Sequence, residues 1–383
     1  MIKILSVFGT RPEAIKMAPL VNILQENKYI ESKVCVTAQH REMLDQVLDI
    51  FKIKPDYDLN IMEERQSLID IIVNALKGID NIIKNAKPDI VLVHGDTSTT
   101  FAGALASYYN KVQLGHVEAG LRTFNKFFPY PEEINRKLTG SLADIHFSPT
   151  HNSKKNLLKE NINENSIFIT GNTVIDALKT TIKNDYLFQN PLIKKVDFNK
   201  RVILVTAHRR ENIGEPLENI CNAIKNIVRE YEDVEVVYPV HMNPSVREIV
   251  FKIIGSQDRI HLIDPIDVVE MHNLMNKSYL ILTDSGGLQE EAPSLGKPVL
   301  VLRAETERPE AIEYGTLKLA GTELKNIFGL TAMLLDDKEE YEKMSNAVNP
   351  YGDGYASERI RDSLLYRFKI LKERPKDFTP LSS

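Results

Sequence analysis

Residues 2–16 read Ile2-Lys-Ile-Leu-Ser-Val-Phe-Gly9-Thr-Arg11-Pro12-Glu-Ala-Ile-Lys16, and this stretch decides the fold class. An apolar run ends at a glycine, which permits a tight turn, and Pro12 suits the first position of a helix. A strand that turns directly into a helix is the repeating step of a parallel α/β sheet. Arg11 and Lys16 follow at the helix start, where free backbone N–H groups already favour an anion.

The same alternation of short apolar runs and longer segments with helical period continues along the chain. It predicts strands at Ile2–Phe8, Lys33–Thr37, Ile90–His94, Val112–His116, Ile167–Thr170, Val202–Thr206, Val234–Val240, Ile260–Ile263, Leu280–Thr283 and Val299–Leu302. It predicts helices at Ala14–Asn27, Leu68–Asn85, Glu215–Tyr231 and Val268–Asn276. Two series of about five strands predict an α/β fold of two doubly wound, Rossmann-type domains with parallel sheets. The irregular stretch after Asn172 predicts domains over residues 1–172 and 173–363.

The composition narrows the classes of function. A length of 383 residues fits two domains, and 48 Lys plus Arg against 53 Asp plus Glu leave no basic excess for a nucleic acid. No apolar run approaches the ~18 residues of a membrane span. The amino terminus lacks a signal-peptide pattern, and the chain has only 2 cysteines, Cys35 and Cys221. We therefore expect a cytoplasmic protein without a disulfide framework or a Cys-based zinc site.

Acidic side chains follow two predicted strands of the first half, and a third acid stands at a helix entry. Asp96 ends the run His94-Gly-Asp96, Glu118 follows Gly115-His-Val, and Glu132 opens the helix after Pro131. Ligands of open α/β sheets bind beyond the carboxyl ends of strands, so these acids are expected to converge. Carboxylates that share an apolar cleft raise one another's pKa, which suits proton transfer near neutral pH.

The second half carries residues suited to a nucleotide diphosphate. A strand followed by Ser285-Gly286-Gly287 and a helix presents N–H groups to phosphate, with Glu291 placed for ribose hydroxyls. Arg308 adds a cation, and His208 at a strand end is suited to act as an acid, as a base or as a hydrogen-bond donor to phosphate. Neither the Gly-x-Gly-x-x-Gly pattern nor the Walker pattern occurs, so the sequence does not predict the use of NAD or ATP. The acids are expected to face this site across a cleft between the domains, an arrangement that equally describes a glycosyltransferase.

At these residues the chain closely resembles the non-hydrolysing UDP-N-acetylglucosamine 2-epimerases of bacteria. The motifs that carry the resemblance span nearly the whole chain. They are Phe8-Gly-Thr-Arg-Pro-Glu-Ala-Ile-Lys-Met-Ala-Pro19, Val93-His-Gly-Asp-Thr97, Gly115-His-Val-Glu-Ala-Gly-Leu-Arg-Thr123, Pro131-Glu-Glu-Ile-Asn-Arg136, Ala207-His-Arg-Arg-Glu-Asn212, the run from Thr283-Asp-Ser-Gly-Gly287 to Gly296-Lys-Pro298, Thr306-Glu-Arg-Pro-Glu310 and Asn349-Pro-Tyr-Gly-Asp-Gly354.

The resemblance implies a GT-B-like homodimer that interconverts UDP-GlcNAc and UDP-ManNAc for cell-surface polysaccharide, with neither metal nor cofactor. UDP leaves by elimination through 2-acetamidoglucal and then adds again. The family's C-terminal helix, expected at about 364–376 here, joins the first domain. The implied catalytic residues are Asp96, Glu118, Glu132 and His208, and the implied substrate-binding residues are Arg11, Lys16, Met271, Ser285, Gly286, Gly287, Glu291 and Arg308.

Some members of the family also bind UDP-GlcNAc as an activator beside the active site. The positions that match this second site are Gln39, His40, Arg65, Arg209 and His241. The same polar residues could instead simply line the cleft between the domains.

Three other functions stay open at this point. A hydrolysing epimerase releases UDP and free ManNAc, although Arg65, Arg209 and His241 argue against it. A GT-B glycosyltransferase needs an acceptor groove, and no apolar membrane-docking segment suggests a lipid acceptor. A regulator that only binds a sugar nucleotide has no need of three acids and His208.

The activator hypothesis predicts a lag in the reverse reaction. Pure UDP-ManNAc is expected to be converted slowly until a trace of UDP-GlcNAc is supplied, because the second site is then occupied. Progress curves with and without the trace measure this, and immediate full-rate turnover of pure UDP-ManNAc would contradict it.

Overall fold

The computed structural model describes residues 1–38, 41–63, 66–255 and 257–380, with the backbone alone at residues 42 and 43. By its internal contacts the chain divides into two compact units. Unit 1 consists of Met1–Thr180 with Tyr351–Thr379, and unit 2 is built from Thr181–Pro350. None of the helices within the described ranges has the length and apolar character that a membrane span requires.

The first part of the chain forms the sheet of unit 1 and the helices that cover it. Its strands are β1 (Ile2–Phe8), β2 (Ile30–Val36), β3 (Tyr57–Asp58), β4 (Ile90–His94), β5 (Gln113–Val117), β6 (Ile145–Ser148) and β7 (Ile167–Ile169). Its helices are α1 (Arg11–Gln25), α2 (Arg41–Ile50), α3 (Leu68–Ala86), α4 (Ser98–Tyr109), α5 (Glu132–Leu142), α6 (His151–Lys159) and α7 (Thr173–Thr181).

Unit 2 repeats this plan, and the chain then returns to unit 1. The strands of unit 2 are β8 (Arg201–Thr206), β9 (Val234–Pro239), β10 (Ile260–Ile263), β11 (Leu280–Thr283), β12 (Val299–Val301) and β13 (Leu317–Leu319). Its helices are α8 (Glu215–Glu230), α9 (Pro244–Ile253), α10 (Val268–Lys277), α11 (Gly286–Glu291), α12 (Pro309–Glu313), α13 (Leu324–Asp336) and α14 (Lys338–Ser345). The last helix, α15 (Ala356–Arg367), belongs to unit 1.

Both sheets have the strand order of a doubly wound fold. In the described residues the order is β3-β2-β1-β4-β5-β6-β7 in unit 1 and β10-β9-β8-β11-β12-β13 in unit 2. Neighbouring strands pair in parallel, and helices cover the buried strands. The order reverses between β1 and β4, and again between β8 and β11, which is where such sheets bind ligands. The loops after these strands are therefore the places to examine.

The predicted class of two doubly wound parallel sheets is confirmed, while some elements differ from the sequence pattern. The pattern missed β3, β6 and β13, because polar residues interrupt these short strands, Tyr57-Asp58, Ile145-His-Phe-Ser148 and Leu317-Lys-Leu319, and leave no continuous apolar run. The expectation of a C-terminal helix at about 364–376 was wrong in its bounds, because the helix runs from Ala356 to Arg367. It begins early because the buried Asp176 carboxylate accepts hydrogen bonds from the N–H groups of Ala356 (3.2 Å) and Ser357 (2.7 Å).

The glycine that ends β1 is required by close packing. A Cβ atom at Gly9 would lie 2.0 Å from Oγ1 of Thr37 and 2.6 Å from Oγ1 of Thr99. These two hydroxyl groups are hydrogen-bonded to each other at 2.8 Å, which holds the end of β2 to the start of α4. No side chain fits at Gly9 unless this contact is broken.

We predict that Gly9→Ala lowers the free energy of unfolding by about 1–3 kcal/mol, as overpacking of a buried position does. Gly329→Ala is the matched control, because Gly329 lies within α13 and nothing stands within 4 Å of its added methyl group. The control is expected to stabilise the protein by up to about 1 kcal/mol through helix propensity. Calorimetric unfolding compares the two, and equal stability of both variants would contradict the packing argument.

Candidate active site

The loop between β1 and α1 is held by a buried carboxylate. Glu13 accepts hydrogen bonds from the backbone N–H groups of Gly9 (3.0 Å) and Thr10 (2.8 Å). It also accepts from the hydroxyls of Thr97 (2.7 Å) and Thr100 (3.1 Å), which follow β4. Burial raises the pKa of Glu13, and these hydrogen bonds act in the opposite direction. Glu13 thus joins the start of α1, where Arg11 lies, to the segment after β4 that carries Asp96.

Asp96 lies in the loop after β4 beside an arginine of α5. Nε of Arg136 donates to Oδ2 of Asp96 at 3.1 Å, and a second guanidinium nitrogen contacts the same oxygen. The amide of Asn135 donates to the backbone oxygen of Asp96 at 3.0 Å, which fixes the loop. Burial raises the pKa of Asp96, the Arg136 cation acts to lower it, and the nearby Glu118 carboxylate raises it. A carboxyl group with a raised pKa keeps its proton to higher pH than a free carboxyl group, which suits a group that transfers protons.

Glu118, directly after β5, forms the centre of a second cluster. Its Oε2 contacts Nζ of Lys16, accepts a hydrogen bond from the amide of Asn172 at 2.8 Å, and lies 3.7 Å from Nε2 of His94. The Glu118 side chain is only 8 % exposed. Its backbone has φ of 62°, a left-handed conformation that costs a non-glycine residue about 1–3 kcal/mol. Such conformations persist at functional sites when the surroundings enforce them.

The positive charge next to Glu118 comes from Lys16 rather than from a histidine. Burial lowers the pKa of His94 to about 4, so its ring is neutral at physiological pH. His116, whose Nε2 lies 2.7 Å from the backbone oxygen of Gly95, has its pKa lowered by burial to about 3. Both rings therefore act as neutral packing around the carboxylates, and Lys16 balances the charge of Glu118.

The two acidic residues at the start of α5, Glu132 and Glu133, have different surroundings. Glu133 is buried and accepts hydrogen bonds from the N–H groups of Thr123 (3.1 Å) and Phe124 (2.9 Å), so it holds the preceding loop. Glu132 is half-buried at the first position of α5. Arg136 lies one turn further along this helix.

In unit 2, the turn from β11 into α11 is lined by two arginines. A Cβ atom at Gly286 would lie 3.6 Å from Nη2 of Arg308 and 3.9 Å from Nη2 of Arg209. Arg308 is held by an ion pair with the buried Glu290, and its backbone N–H donates to the hydroxyl of Thr306 at 3.1 Å. Ser285 occupies the N-cap position of α11 without a side-chain capping bond, so the turn presents backbone N–H groups beside two guanidinium groups. This combination suits a phosphate group.

His208, directly after β8, reaches the same region through Asp284. The backbone N–H groups of His208 and Arg209 both donate to Oδ2 of Asp284 at 2.8 Å. The ring of His208 is stacked on that of His241, with 5.3 Å between centroids. Burial lowers the pKa of His208, and the Asp284 carboxylate acts to raise it. His208 is half-buried, so its ring is accessible to a ligand.

Glu291 is the last residue of α11, and it contacts the helix α10 that carries Met271. Oε1 of Glu291 would be 3.2 Å from a Cβ atom at Gly287, and its Oε2 lies 3.4 Å from Nε2 of the buried His272. Nδ1 of His272 is hydrogen-bonded to the hydroxyl of Thr181 at 2.6 Å. Met271 is the half-buried residue that precedes His272 on α10. The carboxylate of Glu291 is thus held in place from behind.

The residues suggested for an activator fall into two groups. Arg209 and His241 belong to the cluster around the β11–α11 turn, as the distances above show. Gln39, His40 and Arg65 lie outside the described residues.

The residues described also bear on metals and thiols. Within those ranges, no group of three or more His, Cys, Asp or Glu side chains is arranged to hold a metal ion. Cys35 and Cys221 are buried free thiols, and burial raises the pKa of each to about 12.

Sequence reasoning missed several residues that support these clusters. The Thr10-x-x-Glu13 spacing is a capping-box signal that could have drawn attention to Glu13. Arg136 lies four residues after Glu132, on the same helix face, and this spacing could have indicated it. Asn172 and His272 carry no local signal, because their partners are distant in the chain.

We predict that Arg136→Gln raises the pKa of Asp96 further, because the variant removes the cation that favours the charged carboxylate. The protonated form of Asp96 then persists to higher pH than in the wild type. Titration by NMR of protein labelled with ¹³C at Asp carboxyls measures this pKa directly. Arg136→Lys, which keeps the charge, is expected to restore most of the difference, and an unchanged or lower pKa in Arg136→Gln would refute the electrostatic account.

Comparison with known proteins gives a consistent result. A family model described as UDP-N-acetylglucosamine 2-epimerase matches residues 22–365. The UDP-N-acetylglucosamine 2-epimerase of Bacillus subtilis is 61 % identical over 378 residues, covering 99 % of each chain. The structure of S. aureus MnaA with UDP is 54 % identical, with a TM-score of 0.89 and coverage of 99 % of this chain and 100 % of that one.

A further solved structure confirms the GT-B-like class and shows a bound sugar nucleotide. The UDP-GlcNAc 2-epimerase from Neisseria meningitidis bound to UDP-GlcNAc is 52 % identical, with a TM-score of 0.87, and the match covers 95 % of this chain and 100 % of that one. The UDP-N-acetylglucosamine 2-epimerase family expected from the sequence motifs is therefore confirmed. By its motifs, its two sheets and these matches, the chain belongs to the UDP-N-acetylglucosamine 2-epimerase family.

Proposed function

We propose that this protein catalyses the reversible epimerisation of UDP-GlcNAc and UDP-ManNAc at C2, by elimination and re-addition of UDP. The observation that carries the proposal is the pair of carboxylates after β4 and β5. Asp96 and Glu118 lie near each other, and each is paired with its own cation, Arg136 and Lys16. The structures of relatives with UDP or UDP-GlcNAc support the choice of substrate.

Elimination accounts for this reaction without an oxidant. A base removes the C2 proton, and the C2–H electron pair forms the C1=C2 double bond of 2-acetamidoglucal. The anomeric C–O bond breaks at the same time, and its electron pair leaves with the β-phosphate oxygen of UDP. A proton then returns to the opposite face of C2 while that oxygen adds to C1. The sequence of steps is redox-neutral, so it consumes no NAD.

Inversion at C2 requires proton-handling groups on two faces of the sugar, and unit 1 offers them. Asp96 has a pKa raised by burial, so its carboxyl can alternate between acid and base. Glu118, with Lys16 against the same oxygen, is a second candidate. Glu132 at the start of α5 is a third candidate for the same task.

Unit 2 supplies groups for the nucleotide and the leaving group. The turn Ser285-Gly286-Gly287 and the Arg308 guanidinium would hold the diphosphate. The Glu291 carboxylate would accept hydrogen bonds from the ribose hydroxyls. Met271 would lie beside the uracil ring, which would be recognised by hydrogen bonds from backbone groups. His208 would support the departing phosphate, electrostatically or as a proton donor. Arg11 and Lys16 of unit 1 would add positive charge for the anionic substrate.

The proposal extends to regulation and assembly. UDP-GlcNAc would also act as an activator, with Arg209 and His241 among its contacts. The enzyme would work in the cytoplasm, and its product UDP-ManNAc would supply cell-surface polysaccharide synthesis. The protein would act as a homodimer, as its resemblance to the family implies.

The first test is proton NMR of the purified protein with UDP-GlcNAc in D2O, without added NAD or metal. We expect UDP-ManNAc with deuterium at C2 and no free ManNAc, because the proton returned to C2 comes from solvent-exchanged carboxyl groups. Free ManNAc with UDP would place the protein in the hydrolysing class. Absence of any exchange at C2 would leave a binding protein or a glycosyltransferase.

Asp96→Asn provides the control for this experiment. We expect deuterium incorporation at C2 to fall by about 10²- to 10⁴-fold, as for loss of a general acid or base, while UDP still binds. Calorimetry of UDP binding checks the second point. Full turnover in this variant would remove Asp96 from the mechanism.

A further inference from the structure

The two oxygens of Asp284 have different surroundings. The side chain is 0 % exposed at the end of β11. Its Oδ2 accepts three hydrogen bonds, from the backbone N–H groups of His208 and Arg209 (2.8 Å each) and from the amide of Asn212 (3.0 Å). Its Oδ1 is buried without a hydrogen-bond partner among the described residues. Oδ1 lies 3.4 Å from Nδ1 of His208.

A buried carboxylate oxygen without a donor is costly, so Oδ1 requires an N–H group. Nδ1 of His208 is the nitrogen that the structure brings towards it. The His208 side chain is 39 % exposed, so a small turn of the ring can shorten 3.4 Å to a hydrogen bond. A carboxylate only accepts hydrogen bonds, so the proton of this contact must be on Nδ1.

The groups around the ring favour the same arrangement. His241 lies parallel to His208, with 8° between the ring planes, which fixes the plane in which His208 can turn. Nδ1 of His241 accepts a hydrogen bond from the backbone N–H of Asn243 at 3.1 Å. The other charged groups that face His208 are Arg209 and Glu211, which act on its charge in opposite directions. Asp284 is the one whose position selects between the two ring nitrogens.

We propose that Asp284 is a positioning residue that keeps His208 protonated on Nδ1 and so leaves Nε2 as the nitrogen that meets the leaving phosphate oxygen. The inference rests on the proposed role of His208 in the elimination. In the neutral ring Nε2 is then an acceptor, and in the imidazolium it donates to the oxygen that gains charge. The Asp284 side chain is fully buried, so we assign its influence on the reaction to the His208 ring that it orients.

Asp284→Asn tests this assignment with little change in shape. The amide oxygen can accept the three hydrogen bonds of Oδ2, and the amide NH2 group then faces Nδ1 of His208. A donor opposite Nδ1 favours the form with the proton on Nε2. Long-range ¹H–¹⁵N NMR of histidine-labelled protein distinguishes the two forms, and the spectrum of His208→Asn identifies the His208 signals.

We expect the Nδ1–H form in the wild type and the Nε2–H form in Asp284→Asn. We also expect kcat to fall by about 10²- to 10⁴-fold with KM little changed, since a wrongly placed proton affects only the chemical step. In the His208→Asn background, the same substitution at Asp284 should reduce kcat little further. Full multiplication of the two losses would overturn the positioning role.

Asp176→Asn is the matched control for lost stability. Asp176 is also a buried carboxylate that accepts hydrogen bonds from two backbone N–H groups, and it belongs to unit 1 whereas His208 belongs to unit 2. The control should unfold more easily while the His208 proton stays on Nδ1 and kcat is retained. A matching fall in kcat would attribute the effect of Asp284→Asn to stability alone.

The two readouts separate this inference from the proposed function. A wild-type protein with the Nε2–H form overturns the role of Asp284 even if it epimerises UDP-GlcNAc. A wild-type protein with the Nδ1–H form that shows no exchange at C2 overturns the proposed reaction instead.

Discussion

Burial of carboxylates is the constraint on which the chemistry of this protein depends. An ionised carboxylate away from water is costly unless donors or cations surround it, which applies to Glu13, Glu118 and Asp284 and in part to the half-buried Asp96. The stabilising partners differ. Glu13 accepts hydrogen bonds from backbone N–H and hydroxyl groups, whereas Asp96 pairs with Arg136 and Glu118 pairs with Lys16. The loops after the strands are held in place by these contacts.

The parallel sheets bring these groups together. Carboxyl ends of parallel strands lie at one edge of a sheet, so residues after β1, β4 and β5 meet although they are far apart in the chain. Backbone conformations then aim the side chains, and Glu118 adopts a left-handed φ to present its carboxylate to Lys16. The rigidity of the strands and the close packing at Gly9 keep this geometry from relaxing.

Electrostatics divides the work between the units. In unit 1, the pKa of Asp96 is raised and the charge of Glu118 is balanced by Lys16, which suits proton transfer. The histidines beside these carboxyl groups are kept neutral by burial. Unit 2 gathers Arg209, Arg308 and His208 around a turn that presents N–H groups, which suits a leaving phosphate. Both kinds of group agree with the membership of this chain in the UDP-N-acetylglucosamine 2-epimerase family.

The sequence by itself determined the strand–turn–helix repeat, the two doubly wound sheets and the strand-end motifs, because apolar period and turn residues are local properties. It could not reveal short strands such as β6, whose pairing depends on its neighbours rather than on its own pattern. Nor could it show that Arg136 meets Asp96 across 40 residues, Asn172 meets Glu118 across 54, or Asp284 meets the backbone of His208 across 76. Only the tertiary structure decided these pairs, because such contacts depend on strand order and on the path of each loop.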